Sequence, residues 1–179
     1  MKTNVIIITG QIAALKTTLA KSLAEDLSAV ALCKDDVKEI LSEVITAKTR
    51  KENQELSKAA VLLMEHQVLK IAPFVSQIII EANFKEAEYD RLIQTLNEKN
   101  ITHQTFYLYG TFDVLYERYL KRFDGLHETH KSMGKIAEDN FKASMAYYHA
   151  IYKDKPSVIQ IDTSIYDETL YKSIKTRVM

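Results

Sequence analysis

Two rhythms alternate along this chain. Short, mostly apolar runs stand at positions 5–9 (VIIIT), 30–33 (VALC), 77–81 (QIIIE), 105–109 (TFYLY) and 157–162 (SVIQID). Their length and β-branched content suit strands buried on both faces. Between them, apolar residues recur at three- and four-residue spacing, which predicts helices. Leu19, Leu23 and Leu27 mark one over 16–27. Leu56, Ala59, Ala60, Leu63, Gln67, Val68 and Ile71 mark a longer one over 55–72, ended by Pro73. Tyr89, Leu92, Ile93 and Leu96 predict a helix over 86–99 with Asn100 as its stop, and Phe112, Leu115 and Tyr119 predict one over 112–123. Further helices are expected over 135–152 and after Asp167. Asp36 and Glu39 have capping-box spacing, which predicts a helix opening at Asp36 and leaving Asp35 just outside it. Residues 46–54 are polar and charged and read as a solvated turn or a mobile segment, and residues 123–134 as glycine-punctuated, polar and poor in core residues.

Five short strands separated by helices argue for an α/β fold, a parallel sheet covered on both faces. No repeat or break in composition divides the 179 residues, so one domain over 1–179 is expected. Lysine plus arginine number 24 and aspartate plus glutamate 24. The balance leaves no global basic surface for nucleic acid or membrane. The single cysteine, Cys33, allows no internal disulfide and reads as a buried thiol in a reducing compartment. The first apolar run is too short for a signal or membrane segment. A cytoplasmic protein is expected.

Chemistry concentrates directly after the first run, in GQIAALKTT at positions 10–18. A strand, a glycine, five residues, Lys-Thr and an amphipathic helix form the context of a phosphate-binding loop, GxxxxGK[ST]. The backbone amides of Gly10, Gln11, Ile12, Ala13, Ala14, Leu15, Lys16, Thr17 and Thr18 are candidates to wrap a polyphosphate at the positive end of the helix. Lys16 would reach the β- and γ-phosphates, and Thr17 would ligate Mg²⁺. Leu15 departs from the pattern, standing where a second glycine allows positive φ and close approach. Leucine in that conformation costs on the order of 1–2 kcal/mol. That is less than several charge-assisted phosphate bonds return at about 1.5–3 kcal/mol each.

The sequence resembles the P-loop kinases, the broad group that includes polynucleotide 5′-kinases, zeta toxins, chloramphenicol phosphotransferase and nucleoside-monophosphate kinases. IIITGQIAALKTTLAKSLAEDL resembles the group's first strand, loop and helix; CKDDVKEIL the segment after the second strand; IIIEANF the third strand; YERYLKR the helix entering a lid; and VIQIDTS the last strand. The resemblance implies a P-loop NTPase fold with a five-stranded parallel sheet in the order 2-3-1-4-5 and a short mobile lid over 124–135. It also implies transfer of a γ-phosphoryl group from ATP or GTP, with Mg²⁺, to an acceptor, commonly a hydroxyl on a small molecule or a nucleic-acid end. The alternative is a nucleotide-binding regulatory protein that has lost transfer.

Asp35 lies at the carboxyl edge of the expected sheet, where open α/β folds bind ligands. It matches the carboxylate with which such kinases orient the acceptor hydroxyl. Lys38 takes the place of the group's arginine, a charge without a bidentate fork. Glu81 reads as an outer-shell Mg²⁺ partner, a substrate ligand or a solvated strand end, and Asn83 as an acceptor contact. Arg118 and Arg122 share a helix face. The resemblance gives Arg118 to the base and Arg122 to the phosphates, where a cation must hold the charge of phosphoryl transfer. Thr163 is a candidate nucleotide contact after the last strand. His127 and His130 fall one turn short of zinc-binding HExxH spacing and read as side chains of the mobile lid. Tyr147, Tyr148 and His149 read as packing and surface.

Overall fold

The computed structural model describes residues 3–131 and 134–178. Five strands, β1 (Asn4–Gly10), β2 (Val30–Cys33), β3 (Gln77–Glu81), β4 (Thr102–Tyr109) and β5 (Val158–Asp162), pair in parallel in the order β2-β3-β1-β4-β5. The helices are α1 (Lys16–Leu27), α2 (Lys34–Ser42), α3 (Arg50–Ile71), α4 (Glu86–Glu98), α5 (Phe112–Phe123), α6 (Glu128–Lys131), α7 (Glu138–Tyr152) and α8 (Glu168–Val178). The strand order is the one implied by the resemblance.

The two faces of the sheet bury separate apolar clusters. Val5 and Ile7 of β1 join Val61, Met64 and Val68 of α3 and Leu92 and Leu96 of α4 on one side. Ile6 and Ile8 join Leu19 and Leu23 of α1, Leu115 and Tyr119 of α5 and Ile174 of α8 on the other. Alternation of side chains along the strand divides the run between the two faces. Because both faces are apolar, the run reads as continuous. Helix α7 closes the gap between the clusters, with Tyr148, Ile151 and Tyr152 in the first and Phe141 in the second.

Several expected boundaries shift. Strand β4 begins at Thr102 rather than 105, because β1 pairs along its whole length from Asn4 opposite Thr102 to Gly10 opposite Leu108. Helix α3 begins inside the expected turn, at Arg50: Thr49 and Glu52 form the capping box, with Glu52 N donating to Thr49 Oγ1 at 3.2 Å and Thr49 N to Glu52 Oε2 at 2.9 Å. Its buried stripe is Leu56, Ala60, Val61, Met64, Glu65 and Val68, while Leu63 and Gln67 face outward. The rotation accommodates a charge: Glu65 is buried against a bidentate pair with Arg91 of α4 at 2.8 and 2.9 Å, a geometry that holds a desolvated carboxylate. The Asp36–Glu39 box does not form. Helix α2 opens at Lys34, straight from β2, with Cys33 at its cap position and no side-chain cap. Asp36 instead lies 3.5 Å from Lys21. Helix α7 starts at Glu138, three residues later than expected.

Candidate functional site

The loop after β1 lies at the carboxyl edge of the sheet, and its shape follows from close packing on β4. Gly10 has φ 141°, and a β-carbon there would stand 2.0 Å from the Leu108 carbonyl oxygen, so no other residue fits. Gln11 turns inward. Its amide donates to Leu108 O at 2.9 Å, its Oε1 accepts from Gly110 N at 3.1 Å, and its Nε2 donates to Met145 O at 3.2 Å. The Gln11 side chain is therefore a structural clamp between loop, β4 exit and α7.

Ala13 (φ 59°) and Leu15 (φ 61°, ψ 25°) both adopt the left-handed conformation. Leu15 holds the glycine geometry without being glycine. Among the described residues, the amides of Ile12, Ala13, Leu15, Lys16, Thr17 and Thr18 have no acceptor. Concave backbone donors at a helix start favour an anion. Lys16 Nζ donates to Gln11 O at 2.8 Å, which folds the ammonium over the turn. Burial lowers its pKa to about 8 against the opposing pull of Glu81 and Asp35.

Acidic side chains converge on the same edge. Glu81, the last residue of β3, is buried, so the solvated strand end does not hold. Its Oε2 accepts from Thr17 Oγ1 at 3.1 Å. Burial raises its pKa, with Lys16 opposing. Asp35 sits in the first turn of α2, one residue inside the helix rather than outside it. Burial disfavours its charge, yet Lys34, 3.5 Å away, and then His130, Lys16 and Lys38 bring its carboxyl down to about 2. Lys34 also donates to Asn83 Oδ1. The Asn83 turn is held from behind by α7, with Tyr148 O–H donating to Asn83 O at 3.2 Å and Tyr152 O–H to Phe84 O at 2.9 Å. Lys38 is buried on α2 beside Lys34 and Asp35, and burial lowers its ammonium to about 8.

One cavity of about 200 Å³ gathers the loop, Lys16, Thr17 and Thr18 with Lys34, Asp35, Glu81, Asn83, Arg122 and His130. A second, of about 680 Å³, shares Ile12, Asp35, Arg122 and His130 with it and extends to Arg50, Leu126, Lys135 and Asn140. Arg118 and Thr163 come together elsewhere. The Arg118 guanidinium donates to the carbonyls of Thr163 at 2.8 Å and Ser164 at 3.3 Å, and Thr163 itself is buried with its amide and hydroxyl both bonded to Tyr109 O. Lys38 lines neither cavity.

Three side chains on these walls escape sequence reasoning. Lys34 stands beside Asp35 in CKDDVKEIL, where sequence alone gives it no role of its own. Arg50 falls in a stretch that reads as a solvated turn. His130 reads as a mobile side chain, yet its Nε2 lies 3.0 Å from Glu39 Oε1 of α2. The segment around it is tied down as well: Thr129 Oγ1 donates to Ser42 Oγ at 2.7 Å, and Asn53 Nδ2 to Thr129 O at 3.2 Å. Two residues of that segment, 132 and 133, lie outside the described residues. Cys33 is a buried thiol whose pKa burial pushes up to about 12. Among the described residues, no helix is long and apolar enough to cross a membrane.

No protein-family model matches the sequence, and no curated protein matches it. Solved structures do. A candidate kinase from Chloroflexus aurantiacus J-10-fl superposes with a TM-score of 0.79 at 22% identity, over 99% of this chain and 97% of that one. The tunicamycin resistance protein of Deinococcus radiodurans gives 0.68 at 14% identity, over 98% and 96%. Shikimate kinase from Bacteroides thetaiotaomicron gives 0.61 at 20% identity, over 97% and 95%. The loop after β1, the strand order and these likenesses, each running almost end to end, agree: the chain has the fold of the P-loop kinases.

Proposed function

We propose that this chain is a phosphotransferase that moves the γ-phosphoryl group of ATP or GTP, with Mg²⁺, to a hydroxyl acceptor. One observation carries the reading: a loop of free amides, a folded-over lysine, a carboxylate held ionised and Arg122 all face a single cavity at the carboxyl edge of a parallel sheet. The free amides of Ile12, Ala13 and Leu15 to Thr18 would cradle the β-phosphate, while the Ala14 amide, a candidate from sequence, is spent on Gln11 O. Lys16 and Arg122 would hold the charge that spreads over the transferring oxygens. Arg118, held on the carbonyls of Thr163 and Ser164, would flank the base, with the buried Thr163 supporting it rather than touching the nucleotide.

The residues present suit a magnesium ion. The Thr17 hydroxyl and the buried Glu81 carboxylate are 3.1 Å apart, and burial costs Glu81 its charge unless a cation is close. Mg²⁺ bound there would neutralise phosphate charge, with Thr17 as ligand and Glu81 in its outer shell. In the transfer itself, the acceptor oxygen forms a bond to the γ-phosphorus as the bond to the β–γ bridging oxygen breaks, and the diphosphate leaves. Asp35 orients the hydroxyl and takes its proton. A carboxyl brought down to about 2 is a weak base, so orientation is its larger contribution. Asn83 would hydrogen-bond the acceptor, Lys38 would add positive field beneath Asp35, and residues 124–135 would serve as the lid that excludes water.

A second reading follows from Leu15 and from the Lys16–Gln11 bond: a nucleotide-binding regulator without transfer. A Mg·ATP phosphotransfer screen over nucleosides, polyols, aminoglycosides, chloramphenicol-like compounds and 5′-hydroxyl oligonucleotides separates the two. The kinase reading expects a product that Lys16→Ala and Asp35→Ala both abolish, with Asp35→Ala still binding ATP. Tight ATP binding with no transfer to any acceptor selects the regulator. Absence of ATP binding overturns both.

A further inference from the structure

We infer that the acceptor is a small molecule carrying an oxyanion, a carboxylate or a phosphate monoester, and that Arg50 holds this group. The inference rests on the kinase reading and goes beyond it by naming the acceptor's chemical class. The ionisable groups lining the two joined cavities are unequal: Lys16, Lys34, Arg50, Arg122 and Lys135 face Asp35 and Glu81, with His130 between. Most of the cations have a role already. Lys16 lies over the phosphate loop. Arg122 lines both cavities and is taken by the transferring phosphate in the kinase reading. Lys34 is bonded to Asn83 and lies against Asp35. Lys135 lies 3.8 Å from Asp124. Arg50 is left: exposed, on the wall of the larger cavity, and in no ion pair among the described residues.

Its position explains what it can reach. The Thr49–Glu52 capping box fixes the first turn of α3, and Asn53 in the same turn donates to Thr129 O. Arg50 is thereby placed beside the segment that carries His130. Asp35 and Arg50 line one continuous space. A molecule whose hydroxyl lies at Asp35 can therefore present its other end to Arg50, whose planar fork matches a carboxylate or phosphate bidentately. The volume, about 680 Å³, falls in the range that encloses a small ligand. The apolar Ile12, Leu126, Ile136 and Ala143 on its wall suit a carbon skeleton, whereas a nucleic-acid strand needs a row of phosphate contacts and stacking platforms.

The test uses two triads and a pair, each matched in carbon skeleton and differing in charge: glycerol, glycerate and glycerol 3-phosphate; glucose, gluconate and glucose 6-phosphate; adenosine and AMP. Each is measured twice with the full chain: for transfer from Mg·ATP, and for binding by calorimetry with Mg²⁺ and the β,γ-imido analogue of ATP. The charged members should bind more tightly than the neutral ones and be better acceptors. Arg50→Gln should raise their KM by about 10–100-fold, the worth of one charge-assisted pair, with a smaller change in kcat. Arg50→Lys should recover part of the loss, which separates lost recognition from lost folding. Preference within one triad for carboxylate over phosphate identifies which oxyanion is read. Transfer to neutral acceptors or oligonucleotide ends at equal or better efficiency overturns the inference and leaves the kinase reading intact. Charged members bound through Arg50 with no transfer from ATP uphold the anion site and overturn the kinase reading. Neither binding nor transfer overturns both.

Discussion

Leu15 and Lys16 show how single side chains set the terms of this site. A non-glycine residue at φ 61° bears a steric cost of about 1–2 kcal/mol, largest for β-branched side chains. Leu15→Gly removes that cost while loosening the unfolded chain, so stability should change by less than about 1 kcal/mol, and ATP affinity should rise severalfold as backbone and phosphate approach. Leu15→Ile should instead lower stability by about 1–2 kcal/mol; chemical denaturation and ATP titration of the pair check both. Lys16, lowered to about 8, makes a pH prediction with a definite sign. A bound polyphosphate favours the ammonium, so nucleotide affinity should hold below pH 8 and fall as pH rises through it, a slope missing in Lys16→Met. For the unliganded chain the sign reverses. A lowered lysine pKa favours the neutral form in the folded state, so deprotonation between about 8 and the usual 10.5 stabilises wild type relative to Lys16→Met. The chemical types at positions 10, 16, 17, 35 and 81 were legible from sequence because each stands at a strand end or in the first turn of the helix that follows, a place the pattern predicts. His130 was not, because its distance from Asp35 exists only after α6 meets α2.

Elements supply the precision that the residues need. Gln11 joins the loop to the β4 exit and to α7, leaving no slack between cradle and sheet. Gln11→Ala would leave the Gly110 amide and the Met145 carbonyl without this partner, and denaturant unfolding should show a loss of about 1–3 kcal/mol. Strands and most helices were readable because burial on two faces and one-sided helix burial leave different periods in the sequence. The helix starts were less readable. The Asp36–Glu39 spacing looks like a cap, but continuation of β2 directly into α2 removes the need for one. Thr49–Glu52, with the same logic, is the cap that forms. Local spacing offers both boxes, and only the direction from which the chain enters each helix chooses between them.

Ligand and fold act together across the whole molecule. Mg·ATP at 100 times its dissociation constant should stabilise the chain by about 2.7 kcal/mol, raising Tm by roughly 5–10 °C for a chain of this size; a scan with and without nucleotide measures it, and Lys16→Ala should abolish most of the shift. Asp35→Asn should keep the shift and lose transfer by about 10²–10⁴-fold, separating binding from chemistry. Hydropathy alone determined the α/β class, since five short apolar strands separated by helices admit little but a parallel sheet between helices, and the loop motif determined which strand leads into the loop proposed to hold phosphate. Tertiary structure alone decided which charges meet. It folded Lys16 back over its own loop, put Thr17 against Glu81, drew Lys34, His130 and Lys16 around Asp35, and sent Arg118 to the last strand's exit instead. Periodicity records whether a side chain is wet or dry; it carries no information on which charge, distant along the chain, will stand a few ångströms away.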